Sequence, residues 1–119
     1  MGLDIYFEKR KIGSNEKPVE VAYFRKVNFL VGYFDYEDNC SYKVISKSEI
    51  VELLDRCKEV LDNHELAQEL LPVQEGFFFG SYDYDEYYFD DVKKVQETFT
   101  QLVEEIDFNK EELLMYCWW

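Results

Sequence analysis

Residues 46–63 read "SKSEIVELLDRCKEVLDN", and this stretch decides the fold class. Ser46 and Glu49 have the S-x-x-E spacing of a capping box, in which a hydroxyl and a carboxylate each satisfy a backbone N–H at a helix start. Behind them Ile50, Leu53, Leu54, Cys57, Val60 and Leu61 recur at steps of three and four, while Glu52, Asp55, Arg56 and Glu59 take the other side. The spacing predicts an amphipathic helix over 47–62, broken at Asn63. "ELAQELL" at 65–71 adds a further helical turn or two, stopped before Pro72.

Downstream, the same period returns. Tyr88, Val92, Val95, Phe99, Leu102 and Ile106 form one stripe and predict a second long helix over about 86–106, closed by Asn109. Asp85, Glu86, Asp90 and Asp91 stand near its positive N-terminal end. Upstream, the period is two. In "LDIYFEKRK" at 3–11, Leu3, Ile5 and Phe7 alternate with Asp4, Tyr6 and Glu8, as in a half-buried strand. "IGSNEKP" supplies turn residues, and "VEVAYFRKV" at 19–27 resumes strand composition, so the first two strands pair. Asn28 is placed to cap a short helix through Phe34, against which Gly32 counts. "CSYKVI" at 40–45 reads as a short strand, "GFFFGS" at 76–81 as a buried central strand, and "ELLMYCWW" at 112–119 as a final strand. The whole is an α+β domain spanning 1–119. It is expected to hold a mixed or antiparallel sheet of about four to five strands, with two long amphipathic helices packed on one face.

Composition narrows the function classes. The 119 residues carry 13 Lys+Arg against 26 Asp+Glu, a net charge of −13, and 18% are aromatic. Such a chain is repelled by nucleic-acid backbones and by anionic membranes, so no direct nucleic-acid or membrane partner is expected. It suits a basic protein, or the nucleic-acid groove of one. The acidity also serves to keep an aromatic-rich chain in solution. No signal-peptide pattern opens the sequence and no run approaches the ~20 apolar residues of a membrane span. Three cysteines, Cys40, Cys57 and Cys117, have no paired spacing, which fits reduced thiols in the cytoplasm.

Motifs for catalysis are missing. A single histidine, His64, excludes multi-histidine metal sites and reads as a surface or capping residue. "DYED" at 35–38 and "DYDEYY" at 83–88 carry oxygens but lack the central glycine of a calcium loop, so a solvated face is the better reading. No catalytic residue, metal or cofactor is assigned. What stands out is local: Arg25, Lys26 and Asn28 at the end of the second strand, and Ser81, Tyr82, Tyr84, Asp85, Glu86 and Tyr88 in the tyrosine–acid run. The basic pair either meets carboxylates of 83–91 or lines an anion-binding pocket; ion pairing within the chain is favoured.

"MGLDIY" at 1–6, "YFRKVN" at 23–28, "LLP" at 70–72, "GFFFGS" at 76–81 and "YDEYY" at 84–88 resemble motifs of a family of small phage, prophage and bacterial proteins. Phe24 stands where the family pattern prefers Trp, and Val31 and Tyr33 where it often has His and Trp, which puts in doubt any activity resting on that His. The resemblance implies a mobile-element origin, an intracellular location and a compact α+β fold, and brings no activity with it.

Two functions remain in view. In the first, a non-enzymatic acidic binding module acts on another protein, such as a nucleic-acid-binding host factor whose basic groove it occupies. In the second, Arg25 and Asn28 grip a nucleotide-like anion while Tyr84 and Tyr88 stack on its ring. The apolar bulk of "LLMYCWW" also makes a homodimer an expectation.

Overall fold

The computed structural model describes residues 2–74 and 83–119. The Phe77–Phe79 strand expected from "GFFFGS", together with Ser81 and Tyr82, lies outside the described residues. Within them the order is β1 (Asp4–Lys11), β2 (Val19–Arg25), α1 (Phe29–Tyr33), β3 (Tyr42–Ile45), α2 (Lys47–Asp62), a 3-10 turn (His64–Leu66), α3 (Ala67–Leu70), α4 (Glu86–Glu105) and β4 (Glu111–Trp118). The fold is α+β. Among the described residues four strands make one antiparallel sheet in the order β2-β1-β4-β3.

β1 and β4 hold the inner positions. They run in register from Asp4 opposite Trp118 to Lys11 opposite Glu111. Ion pairs reinforce the far end: Arg10 Nε lies 2.7 Å from Glu112 Oε1, and Lys9 Nζ 3.5 Å from Glu111 Oε2. Both pairs are partly exposed and add little each. Burial on the inner face stabilises the sheet far more. Leu3, Ile5 and Phe7 from the β1 side, and Leu113, Met115 and Cys117 from β4, are fully buried. The period-two alternation of 3–8 therefore marks a real face.

α2 starts as its sequence dictates. Ser46 Oγ accepts from Glu49 N, and the Glu49 carboxylate accepts from Ser46 N. Ile50, Leu53, Cys57 and Val60 point inward and pack on α4, whose Val92, Val95, Phe99 and Leu102 join the same buried cluster. Phe99 connects helix to sheet, with its ring 4.9 Å from that of Phe7 at 87° and 6.1 Å from that of Phe24 at 12°. Edge-on contacts such as that with Phe7 add to simple area burial.

Two local expectations change. Asn28 precedes α1 without capping it, because it has helical dihedrals and its side chain is used elsewhere. α4 ends before Asn109: Ile106 is already extended, and Asp107 builds the following turn by accepting from Asn109 N and, through its carbonyl, from Lys110 N and Glu111 N. Among the described residues no helix is long and apolar enough to cross a membrane.

Candidate functional site

The site forms where β2 runs into α1 and α4 begins. The chain leaves β2 through Lys26, whose φ of +58° is left-handed. A non-glycine residue there costs about 1 kcal/mol. Lys26 N donates to Leu3 O at 2.8 Å, which fixes the turn against the residue before β1. Val27 and Phe29 are buried beneath the turn.

Asn28 is 4% exposed and its Oδ1 accepts from Gln74 N at 3.1 Å, across 46 residues of sequence. Two more side chains hold the same segment. Tyr84 Oη accepts from Val73 N at 3.1 Å, and Tyr88 Oη donates to Leu71 O at 2.6 Å. After Pro72 this segment has no regular backbone ladder, so its polar groups need partners from side chains. Asn28, Tyr84 and Tyr88 supply them. Burial pushes the Tyr88 hydroxyl well above its ordinary pKa, with a lesser push from Tyr84, so it stays a donor. A Cβ on Gly32 would lie 3.0 Å from Gln74 Oε1, so the end of that side chain rests close over the bare Gly32 backbone.

Asp85 caps α4, its Oδ1 accepting from Tyr88 N at 3.1 Å. Further along the helix, Asp91 is half-buried. Desolvation raises its carboxyl pKa; Lys94 opposes this, and Asp90 and Asp85 add to it. Arg25 reaches Asp4, with Nη1 3.8 Å from Oδ1, instead of a carboxylate of 83–91.

Between these groups lies a cavity of about 140 Å³. Arg25 and Lys26 line it together with Asp83, Asp85, Asp91 and the exposed Tyr87. Arg25, Lys26, Asn28, Asp85 and Tyr88 thus come together from the two stretches singled out in the sequence. Tyr84 and Glu86 do not line the cavity: Tyr84 is spent on Val73, and Glu86 is exposed in the first turn of α4. Asp91 and Tyr87 also line the cavity, although the sequence placed them only in the tyrosine–acid run and the first turns of α4 and not in the site. Asp91 follows Tyr88 by three residues, the spacing that places two side chains on one helix face.

The remaining reactive groups are quiet. Burial pushes the Cys57 and Cys117 thiols up to about 12, so both are protonated at neutral pH. His64 stacks on Phe89, ring centroids 3.7 Å apart. Among the described residues no group of three or more His, Cys, Asp or Glu is arranged to hold a metal ion. No family model, no curated protein and no solved structure matches this chain.

Proposed function

We propose that the protein is an intracellular acidic binding module, of mobile-element origin, that acts on another protein and carries no chemistry of its own. In this reading α2 and α4 form a layer on one face of the sheet, and the start of α4 presents the contact. The observation that carries it is the make-up of the cavity lining, which brings three carboxylates, two cations and an exposed tyrosine together. That balance favours an incoming cationic side chain, which the Tyr87 face attracts as well. The net charge of −13 draws a basic partner from a distance. An inhibitor that fills the basic groove of a nucleic-acid-binding factor is the sharpest form of this reading.

The nucleotide-like ligand has less support. A cavity of 140 Å³ is below the ~300 Å³ of ordinary small-molecule sites. Asn28, Tyr84 and Tyr88, the groups it would use, already bond backbone atoms of 71–74.

An arginine-rich peptide labelled for fluorescence anisotropy tests the reading. It should bind at low salt and weaken about tenfold or more when salt rises from about 0.05 to 0.3 M. Asp85→Asn with Asp91→Asn should weaken it severalfold while keeping α4, because Asn also caps helices. No binding, or equal binding by parent and variant, overturns the proposal. A nucleotide that raises Tm, with the rise lost in Arg25→Ala, would favour the second reading instead.

A further inference from the structure

The face of the sheet turned away from the core carries four tyrosines in one row, one from each strand. Tyr23 stands opposite Tyr6, Tyr6 opposite Tyr116, and Tyr116 opposite Tyr42. Neighbouring ring centroids are 5.1, 6.2 and 5.1 Å apart along the row. Beside it, Val44 and Trp118 are 56% and 57% exposed. An antiparallel sheet that faces water normally presents polar side chains there. Tyr and Trp concentrated on one flat face mark a contact surface.

The arrangement of charge says what covers it. On β2, Arg25 lies two pairing steps to one side of the row and Glu20 two steps to the other, opposite Asp4 and Glu8 respectively. On β4, Trp118 and Leu114 hold the matching positions. A twofold axis along the tyrosine row would set each of these over its counterpart in a second copy. Arg25 would meet Glu20 twice while the tyrosine rows stack at the centre; Leu114, 1% exposed, is covered within its own chain and makes no such contact. Asp4 over Glu8 is the one unfavourable pairing, and it too occurs twice. Asp4 is offset locally, since it takes the Tyr23 hydroxyl at 2.5 Å and lies 3.8 Å from Arg25. A uniformly basic partner would instead meet Arg25 and Arg10 on this face, and single-stranded nucleic acid would meet Asp4, Glu8, Glu20 and Glu112 without a positive groove.

We infer that the tyrosine-bearing sheet face is the interface of a twofold homodimer, locked by reciprocal Arg25–Glu20 pairs. With β1 and β4 of eight residues, β2 of seven and β3 of four, at ~4.8 Å between strands and ~3.3 Å per residue, the face covers roughly 430 Å² in projection. That is below the ~800 Å² per partner of a standard interface, so dissociation lies in the micromolar range or weaker. Each copy carries −13, so the two repel at long range and added salt tightens the dimer. Capture of a basic peptide has the opposite salt dependence.

Sedimentation velocity on the full chain, from about 10 to 500 μM, tests it. The parent should show a monomer–dimer equilibrium that shifts toward dimer as salt rises. Arg25→Glu alone and Glu20→Arg alone should each weaken association about tenfold or more, with the far-ultraviolet spectrum of the parent. Mixed together, the two variants should recover a heterodimer, because each Arg then faces a Glu. A parent that stays monomeric at the highest concentration, single variants that dimerise like the parent, or a mixture that stays monomeric each overturn the inference. The Asp85→Asn, Asp91→Asn variant leaves this face intact, so it should lose peptide capture and keep the dimer.

Discussion

Alternate residues of the same strands build two unlike surfaces. On one side of β1, Ile5 and Phe7 are fully buried; on the other, Tyr6 keeps partial contact with water. The inner face is mainly aliphatic and phenyl, with Lys43 at its β3 edge donating to Phe34 O, and its rings meet around Phe99. The outer face repeats ring contact with tyrosines, whose apolar bodies pack while their hydroxyls stay wet. The difference teaches that aromatic content alone does not locate a core. Between these two faces of the sheet, Phe and Tyr are sorted by one oxygen atom.

Substitutions sharpen the contrast. Phe99→Ala on the inner side should cost about 3–5 kcal/mol in urea unfolding, because its ring contacts Phe7, Phe24 and Phe34 at once. An effect under about 1 kcal/mol would deny the face its status as core. Tyr88→Phe should cost about 1–2 kcal/mol, leaving Leu71 O without its donor. Ser46→Ala should cost about 1 kcal/mol through the lost cap of α2. On the outer face, Tyr42→Ser should change stability by under about 0.5 kcal/mol and act on association instead.

Two chemical probes extend this. Cys40 is exposed whereas Cys57 and Cys117 are buried. A thiol reagent at pH 8 should therefore label one cysteine per native chain and three after unfolding. Asp91 reads the cavity. Its folded pKa lies above the ordinary 3.8, so ionising it at neutral pH destabilises the fold. That cost is absent below the unfolded pKa and grows as pH rises through the window above it. Asp91→Asn should thus raise the urea midpoint at pH 7, and the gain should vanish below pH 3.8.

Much of this is legible in the chain. Ser46, Glu49 and the stripe behind them give α2 without ambiguity, and the alternation of Leu3, Ile5 and Phe7 gives β1 and its inner side. Local rules suffice because the groups that decide are within a few residues of each other. Asn28 shows the limit. Its partner is Gln74 N, and no local pattern announces a bond across 46 residues, so capping is the natural expectation. Asn109 suggests the end of α4 because asparagine often stops helices, yet the turn belongs to Asp107. The tyrosine row fails differently. Each ring is recognisable as outward-facing, but aligning four of them requires the register of three strand pairs, which the sequence leaves open. The cavity rim is half legible, since Arg25 and Asp85 stand out by charge whereas Asp91 hides among many acids.

The pairing of β1 with β4 has a kinetic consequence. Asp4 and Trp118 are partners, so the two inner strands enclose nearly the whole intervening chain. Closing so long a loop is entropically costly and precedes every contact that rewards it. Ile5 and Phe7 find their β2 partners, Phe24 and Ala22, close by in sequence, but their β4 partners, Cys117 and Met115, only when the long loop closes. Until then one edge of the β1–β2 pair stays open, and completion of the sheet is gated by the arrival of β4.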